Sequence, residues 1–307
     1  MIRQRTAKID ECPLFIHSLP NHIYTVRTNK KKFIEADVVR LMIDKAREFS
    51  NSKEKVESIK KEILMSGFPL ELYALTKLEK KGIRGSPNVR YMLKDKEKEI
   101  DLIGLFEEFL PDEDNPKVHL ENQFIIECKK SEKKPWVFFS TKEYSVRDSS
   151  IFLDSYTNYY QRTSRVSSIS KYLAGSEHYV EGETPVCVSF TEVFKKEGSS
   201  DIYKAIDSVT SYLDNQKKEL MDEASYSDMI SLVMAYPIVV LDGDLYLSEL
   251  EKGDISVMEA SHLHLRYNHD RRYVIEIVTK DYFPTLIDEL IEDSRKMVTH
   301  LLNQNKS

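Results

Sequence analysis

Hydrophobic positions along the chain change period several times, and each change predicts an element. Val38, Val39, Leu41, Met42 and Ala46 recur at helical spacing and run into a Lys/Glu-rich stretch ending at Ile63-Leu64-Met65, which predicts a helix over roughly 34–65. The residues before it, 1–33, read as short strands or loops. Gly67 and Pro69 interrupt the pattern, and Pro69 then suits the first position of a second helix, about 69–81, closed by Gly82. Beyond Gly82 the period shortens to two, which predicts strands near 88–93, 99–106 and 122–129. Pro111 to Pro116 is a polar loop between the last two. Pro135-Trp136-Val137-Phe138-Phe139 predicts another strand, and 151–173, rich in tyrosine, another helix. Val186 to Phe190 reads as a strand and 200–222 as an amphipathic helix. Ser231 to Leu241 reads as a buried strand, turned by Asp242-Gly243-Asp244 into Leu245-Tyr246-Leu247. Strands near 262–267 and 273–279 follow. Pro284 opens a last helix whose apolar pairs (Leu286/Ile287, Leu290/Ile291, Met297/Val298, Leu301/Leu302) form one stripe, a candidate dimer surface.

These elements predict an α/β protein. No internal repeat, low-complexity block or interdomain linker stands out, so two divisions remain. Either the chain is one continuous domain, or an N-terminal helical extension, 1–66, precedes an elaborated domain, 67–307. The 307 residues suffice for a large core in both cases. Cys12, Cys128 and Cys187 are scattered and form no disulfide framework, which points to a reducing compartment. The polar start, Met1 to Lys8, lacks the apolar core of a secretory signal. The longest apolar stretch, Leu232 to Leu241, is too short to span a bilayer. The expected location is cytoplasmic, with no membrane association. Neither GxxxxGK[ST] nor GxGxxG occurs, which argues against a built-in ATPase or dinucleotide enzyme.

Charge sharpens this picture locally. The net charge of −6 argues against a protein that coats nucleic acid nonspecifically. Yet eight Lys and Arg lie between Lys77 and Lys98, and Lys129, Lys130, Lys133 and Lys134 form a second group. Between the two groups lie the strands that carry candidate chemistry. Asp101 sits in the apolar run Ile100 to Gly104, and Glu127-Cys128-Lys129 ends the run Phe124-Ile125-Ile126. Charge at such positions is costly unless paired. Alternation puts Glu99 and Asp101 on one face of their strand, and Glu127 and Lys129 on one face of theirs. If the two strands are neighbours in register, Asp101, Glu127 and Lys129 converge. Two carboxylates and a backbone carbonyl, such as that of Cys128, form an open oxygen site suited to Mg²⁺.

In this order — Glu71 on a helix, a strand, Asp101 on a second strand, Glu127-x-Lys129 on a third — the chain resembles the PD-(D/E)xK restriction-endonuclease-like nucleases over about residues 67–130. Ile100 stands where many members have proline before the Asp, and the 25 residues between Asp101 and Glu127 make a longer hairpin than the most compact members have. The resemblance implies a mixed central sheet flanked by helices, with added helical and strand elements. It also implies a deoxyribonuclease in which Asp101 and Glu127 bind Mg²⁺ or Mn²⁺, Lys129 assists the attacking water and Glu71 supports the metal. DNA is the expected substrate, with RNA an open alternative, and restriction or defence are compatible settings. Tyr159-Tyr160-Gln161-Arg162 would face the nucleic acid. A homodimer or a partner protein is compatible with the added elements.

Other readings compete. The same fold could serve as a noncatalytic nucleic-acid-binding or scaffold subunit, which would have no need of Asp101, Glu127 and Lys129 together. Glu71, near a helix start, could simply complement the helix dipole. Glu99 reads as solvated. His262-Leu263-His264 places two imidazoles on one strand face with His269 nearby, a conceivable zinc site for a different hydrolase. Without cysteines beside them, these read as exposed strand histidines.

Overall fold

In the computed structural model the described residues are 5–9, 12–18, 24–27, 53–110, 118–140, 176–180, 184–194, 200–223, 231–251, 253–268 and 272–304. The chain divides into two compact units, Met1–Met65 and Ser66–Ser307. In the first, β1 (Arg5–Ile9), β2 (Cys12–Ser18) and β3 (Tyr24–Arg27) form an antiparallel sheet, and Lys53–Met65 forms helix α1. The expected helix from residue 34 to 52, the loop at 111–116, the helix at 151–173, Tyr159 to Arg162 and His269 lie outside the described residues.

The second unit is α/β, with a large mixed sheet between helices. Its order is α2 (Phe68–Lys80), β4 (Arg84–Leu93), β5 (Lys96–Leu110), β6 (Val118–Ser140), α3 (Glu177–Val180), β7 (Val186–Glu192), α4 (Asp201–Glu223), β8 (Ser231–Glu251), β9 (Asp254–Glu259), β10 (His262–Asn268), β11 (Arg272–Thr279) and α5 (Phe283–Gln304). Strands β4, β5 and β6 form an antiparallel meander, and β8 lies parallel to β6. The sheet continues β6–β7–β10–β11–β8, and because β8 also pairs with β6 these five strands close a circuit. Each face of the sheet has its own core. On one, Leu70, Ala74 and Leu78 of α2, Tyr179 of α3 and the stripe of α5 cover Leu102, Phe124, Ile126, Ile238 and Val278. On the other, Ile202, Ala205, Ile206 and Val209 of α4 cover Ile100, Ile125, Val239 and Ile277. Those α4 positions follow helical spacing, so one face of that helix is apolar and the other meets water.

Three expectations need correction. Asp242-Gly243-Asp244 is no turn: β8 runs straight through it and stays beside β6, Gly243 facing Ser131. A Cβ at Gly243 would lie 2.5 Å from the Ser131 carbonyl oxygen, so glycine is there for close approach of two backbones. Pro135 to Phe139 is not a separate strand but the end of β6, resumed after a register shift between Ser131 and Trp136. The apolar pairs of α5 from Leu286 to Val298 are buried inside the unit, so that stripe is not a free dimer surface. No described helix is long and apolar enough to cross a membrane.

Candidate functional site

Helix α2 starts where expected, with proline in its first turn, and ends at Gly82, whose φ of 75° suits a residue without a Cβ. It packs tightly on the meander: a Cβ at Gly104 would meet Leu78 at 2.7 Å. This fixes Glu71, in its first turn, against the strand that carries Asp101.

Strand β5 carries an irregularity at the decisive point. Ile100 packs on the α4 face and Leu102 on the α2 face, although two residues apart. The chain therefore rolls over at Asp101. Opposite it on β4, Asn88 has φ 52° and the pairing skips a step. Simple alternation, which put Glu99 and Asp101 on one face, fails here. Glu99 is exposed and sits 3.5 Å from Arg90, as a solvated residue would.

Strands β5 and β6 are neighbours, and their ladder ends at the pair Leu102 and Ile126. Asp101 and Glu127 are the next residues beyond it. There the Asp101 carboxylate takes over from the backbone: the Cys128 N–H donates to Asp101 Oδ2 at 2.7 Å. In a strand the N–H and C=O of one residue point to the same edge, so the Cys128 carbonyl also faces that side. Glu127 and Lys129 point to the other face of β6, alongside Val239 and Leu241 of β8. Lys129 Nζ donates to Glu127 Oε1 at 2.5 Å. Glu127 is 6% exposed, and its Oε2 is buried without a hydrogen bond of ordinary geometry.

The electrostatics are those of crowded carboxylates short of cation. Burial, reinforced by Asp101, pushes Glu127 up to about 7, with Lys129 and more weakly Ser208 acting in the opposite direction. Burial also raises Asp101, against the Cys128 N–H and Lys129. Glu71 is raised by burial and then by Asp101. Burial alone would lower the Lys129 ammonium, but Glu127 and Asp101 outweigh it and hold the proton on. Glu71, Asp101, Glu127 and Lys129 thus form one electrostatic group. Their carboxylates do not all converge: Glu71, Asp101 and Glu127 are not among the sets of three donors within 4.8 Å of one another. Asp101 lies at the strand edge, with Glu71 towards one sheet face and Glu127 towards the other. An incomplete oxygen shell of this kind fits Mg²⁺, which keeps several waters.

The basic surroundings need qualification. Lys81 pairs with Asp288, Arg84 with Glu107, Arg90 with Glu97, Lys98 with Asp207 and Lys134 with Asp201. Carboxylates, most of them distant in sequence, therefore offset much of the local positive charge.

Elsewhere in the sheet, the two histidines of β10 are buried, not exposed as expected. His262 and His264 are 8% and 1% accessible, and the β10–β11 hairpin sets Glu276 directly opposite His264. His178 of α3 completes the group. His262 Nε2 is 2.6 Å from Glu276 Oε2, and His178 Nε2 is 3.4 Å from Oε1. His264 Nε2 lies 3.2 Å from Glu276 Oε2 and 3.2 Å from His178 Nε2. The Tyr179 hydroxyl donates to Glu276 Oε1 at 2.6 Å. Burial would raise Glu276, but His264 and His178 hold it well below its usual value. Burial would lower His178, which Glu276 instead raises, while burial prevails at His264 and lowers it.

Glu276 and His178 were missed from sequence. Laying the strands 262–267 and 273–279 as a hairpin would have found Glu276 opposite His264. No local signal marks His178, which reaches the hairpin only through the fold. A further donor set, Glu107, His119 and Glu121, is more exposed, and Glu107 already pairs with Arg84.

No protein-family model, curated protein or solved structure matches the chain.

Proposed function

We propose that the chain is a metal-dependent nuclease of restriction-endonuclease-like architecture, hydrolysing DNA phosphodiesters where β5 parts from β6. One observation carries this reading. Asp101, Glu127 and Lys129 lie together at the end of a paired ladder, where burial raises both carboxylates and Lys129 acts against that rise on each. A structural ion pair of Glu127 and Lys129 has no need of a second buried carboxylate beside it, whose desolvation is costly. The order of elements carrying Glu71, Asp101 and Glu127-x-Lys129 supports the same reading.

Asp101 and Glu127, with the Cys128 carbonyl, would hold Mg²⁺ or Mn²⁺, and Glu71 would steady the Asp101 side. The bound cation supplies Lewis acidity and a more acidic water. Lys129 has two roles. Without cation it balances Glu127. Its ammonium would also orient the attacking water and offset charge on the phosphate oxygens. Cys128 contributes backbone only, since its thiol is buried in the apolar core and pushed well above its ordinary range.

The test is cleavage of plasmid, linear duplex, single-stranded DNA and RNA with Mg²⁺ or Mn²⁺, comparing wild type with Lys129→Ala and Asp101→Ala. Metal-dependent cutting abolished in both variants is the expected result. Cutting that survives both substitutions would end the proposal.

A further inference from the structure

We propose that His178, His262, His264 and Glu276 bind a single Zn²⁺ ion, in a site separate from the nuclease-like one. Leu102, Ile126, Ile238, Glu276 and His264 lie in one cross-strand row over β5, β6, β8, β11 and β10. Asp101 adjoins Leu102 and Glu127 adjoins Ile126, so two to three strand spacings, roughly 10–14 Å along the sheet, separate the two sites.

The first argument is shape. Three imidazole nitrogens and one carboxylate oxygen lie within 4.8 Å of one another. Around tetrahedral zinc, with bonds of about 2.0–2.1 Å, neighbouring donors stand roughly 3.3 Å apart. The His264–His178 edge and the His264–Glu276 Oε2 edge measure 3.2 Å each, and His178 Nε2 stands 3.4 Å from the other carboxylate oxygen, Oε1. The His262–Glu276 Oε2 edge, at 2.6 Å, is short and must open.

The second argument is proton placement. A carboxylate only accepts, so each Nε2 facing Glu276 would need its own hydrogen. The Nε2 atoms of His178 and His264 would then set N–H against N–H across 3.2 Å. Moving the His264 proton to Nδ1 does not help. That atom is buried without a partner, and the Nε2 lone pair would face the carboxylate. Protons alone meet the His264–His178 contact only with the His178 proton on Nδ1, and the His178 Nε2 lone pair then faces Glu276 Oε1 at 3.4 Å. A cation receiving three nitrogen lone pairs and a carboxylate oxygen removes the conflict.

The third argument is support and access. Tyr179 holds Glu276 from outside the donor set. Asp293 accepts from the Ser176 hydroxyl and from the N–H groups of Glu177 and His178, fixing the short segment that presents His178. Such outer contacts orient ligands in metal sites. A cavity of about 520 Å³ reaches His178 and His262 past Glu177, Glu289, Glu292 and Asp293. Lys296 also lines it and offsets Glu177, and the remaining carboxylates favour the approach of a cation. Imidazole with one carboxylate favours zinc over Mg²⁺ or Ca²⁺, and four protein donors close the shell. The ion therefore clamps the His178 segment to the β10–β11 hairpin and leaves hydrolysis to the other site.

The full chain, purified without a polyhistidine tag, should carry stoichiometric zinc by elemental analysis. Glu276→Gln and His264→Ala should lose it, and Tyr179→Phe should bind about 10–100-fold more weakly. Asp101→Ala should keep it. Should the ligand variants not fold, wild type alone decides. After chelation it should take up Co²⁺ with the intense visible bands of tetrahedral coordination. Folded wild type without zinc, giving only the weak spectrum of hydrated Co²⁺, would overturn the proposal. Zinc lost from Asp101→Ala would overturn it too.

Discussion

Glu127 and Glu276 are buried carboxylates on strands of one sheet, β6 and β11, separated only by β8. Their environments have driven them in opposite directions. Glu127 stands where a ladder comes apart, with Lys129 and more weakly Ser208 beside it, and burial pushes it up to about 7. Glu276 stands inside an intact hairpin, enclosed by three histidines and a tyrosine hydroxyl, and is held well below its ordinary range despite burial. Depth alone explains neither. The number and sign of donors within reach decides, because in a poorly solvated site each one weighs heavily. The strand end yields a sparsely partnered site. The hairpin and the short helix α3 yield a closed one.

The largest test of this contrast is activity. Lys129→Ala or Asp101→Ala should lower metal-dependent cleavage at least about 10²–10³-fold in single-turnover assays, with zinc content unchanged. Next comes stability. If the closed site clamps the fold, chelating its zinc should remove about 4 kcal/mol where zinc exceeds its Kd a thousandfold. In a unit of this size that lowers Tm by about 10 °C. The Glu276→Gln protein should melt low already and ignore the chelator. An equal chelator response in both would break the contrast.

A smaller effect is expected from Gly243→Ala. Its methyl would press on the Ser131 carbonyl, two residues beyond Lys129. The expected cost is about 1–3 kcal/mol in denaturant unfolding. Cleavage should fall with it, because β6 must shift where it carries Lys129, and zinc should stay.

The smallest effect is a pair of opposite pH slopes in the metal-free protein. Folded Glu127 keeps its proton to about 7, while the unfolded chain releases it near 4.5. The folded state binds more protons in that window, so this group's contribution falls as pH rises through it. Glu276 is depressed, so its contribution is present above the unfolded value of 4.5 and is lost on acidification. Glu127→Gln should flatten the first slope, read from urea midpoints between pH 4 and 8, and Glu276→Gln the second, read below the unfolded value of 4.5. Added Mn²⁺ should offset the first slope by holding Glu127 ionised.

Spacing, punctuation and charge inside apolar runs make most of the elements, and the residues of the candidate open site, legible along the chain. Period and punctuation give α2, the meander β4–β5–β6, α4, the β10–β11 strands and α5, because a face that must be buried imposes its spacing locally. Asp101, Glu127 and Lys129 are legible for the same reason: charge inside apolar runs stands out. Three things were settled only by tertiary structure. The roll-over of β5 at Asp101 comes from packing two helix layers on opposite faces, which alternation cannot foresee. Gly243 looks like a turn until β6 is seen lying against it. His178 carries no mark in its own neighbourhood, and it joins the hairpin histidines only because α3 docks beside β10 and β11. Local pattern fixes which side chains face a core, and long-range docking decides which of them meet.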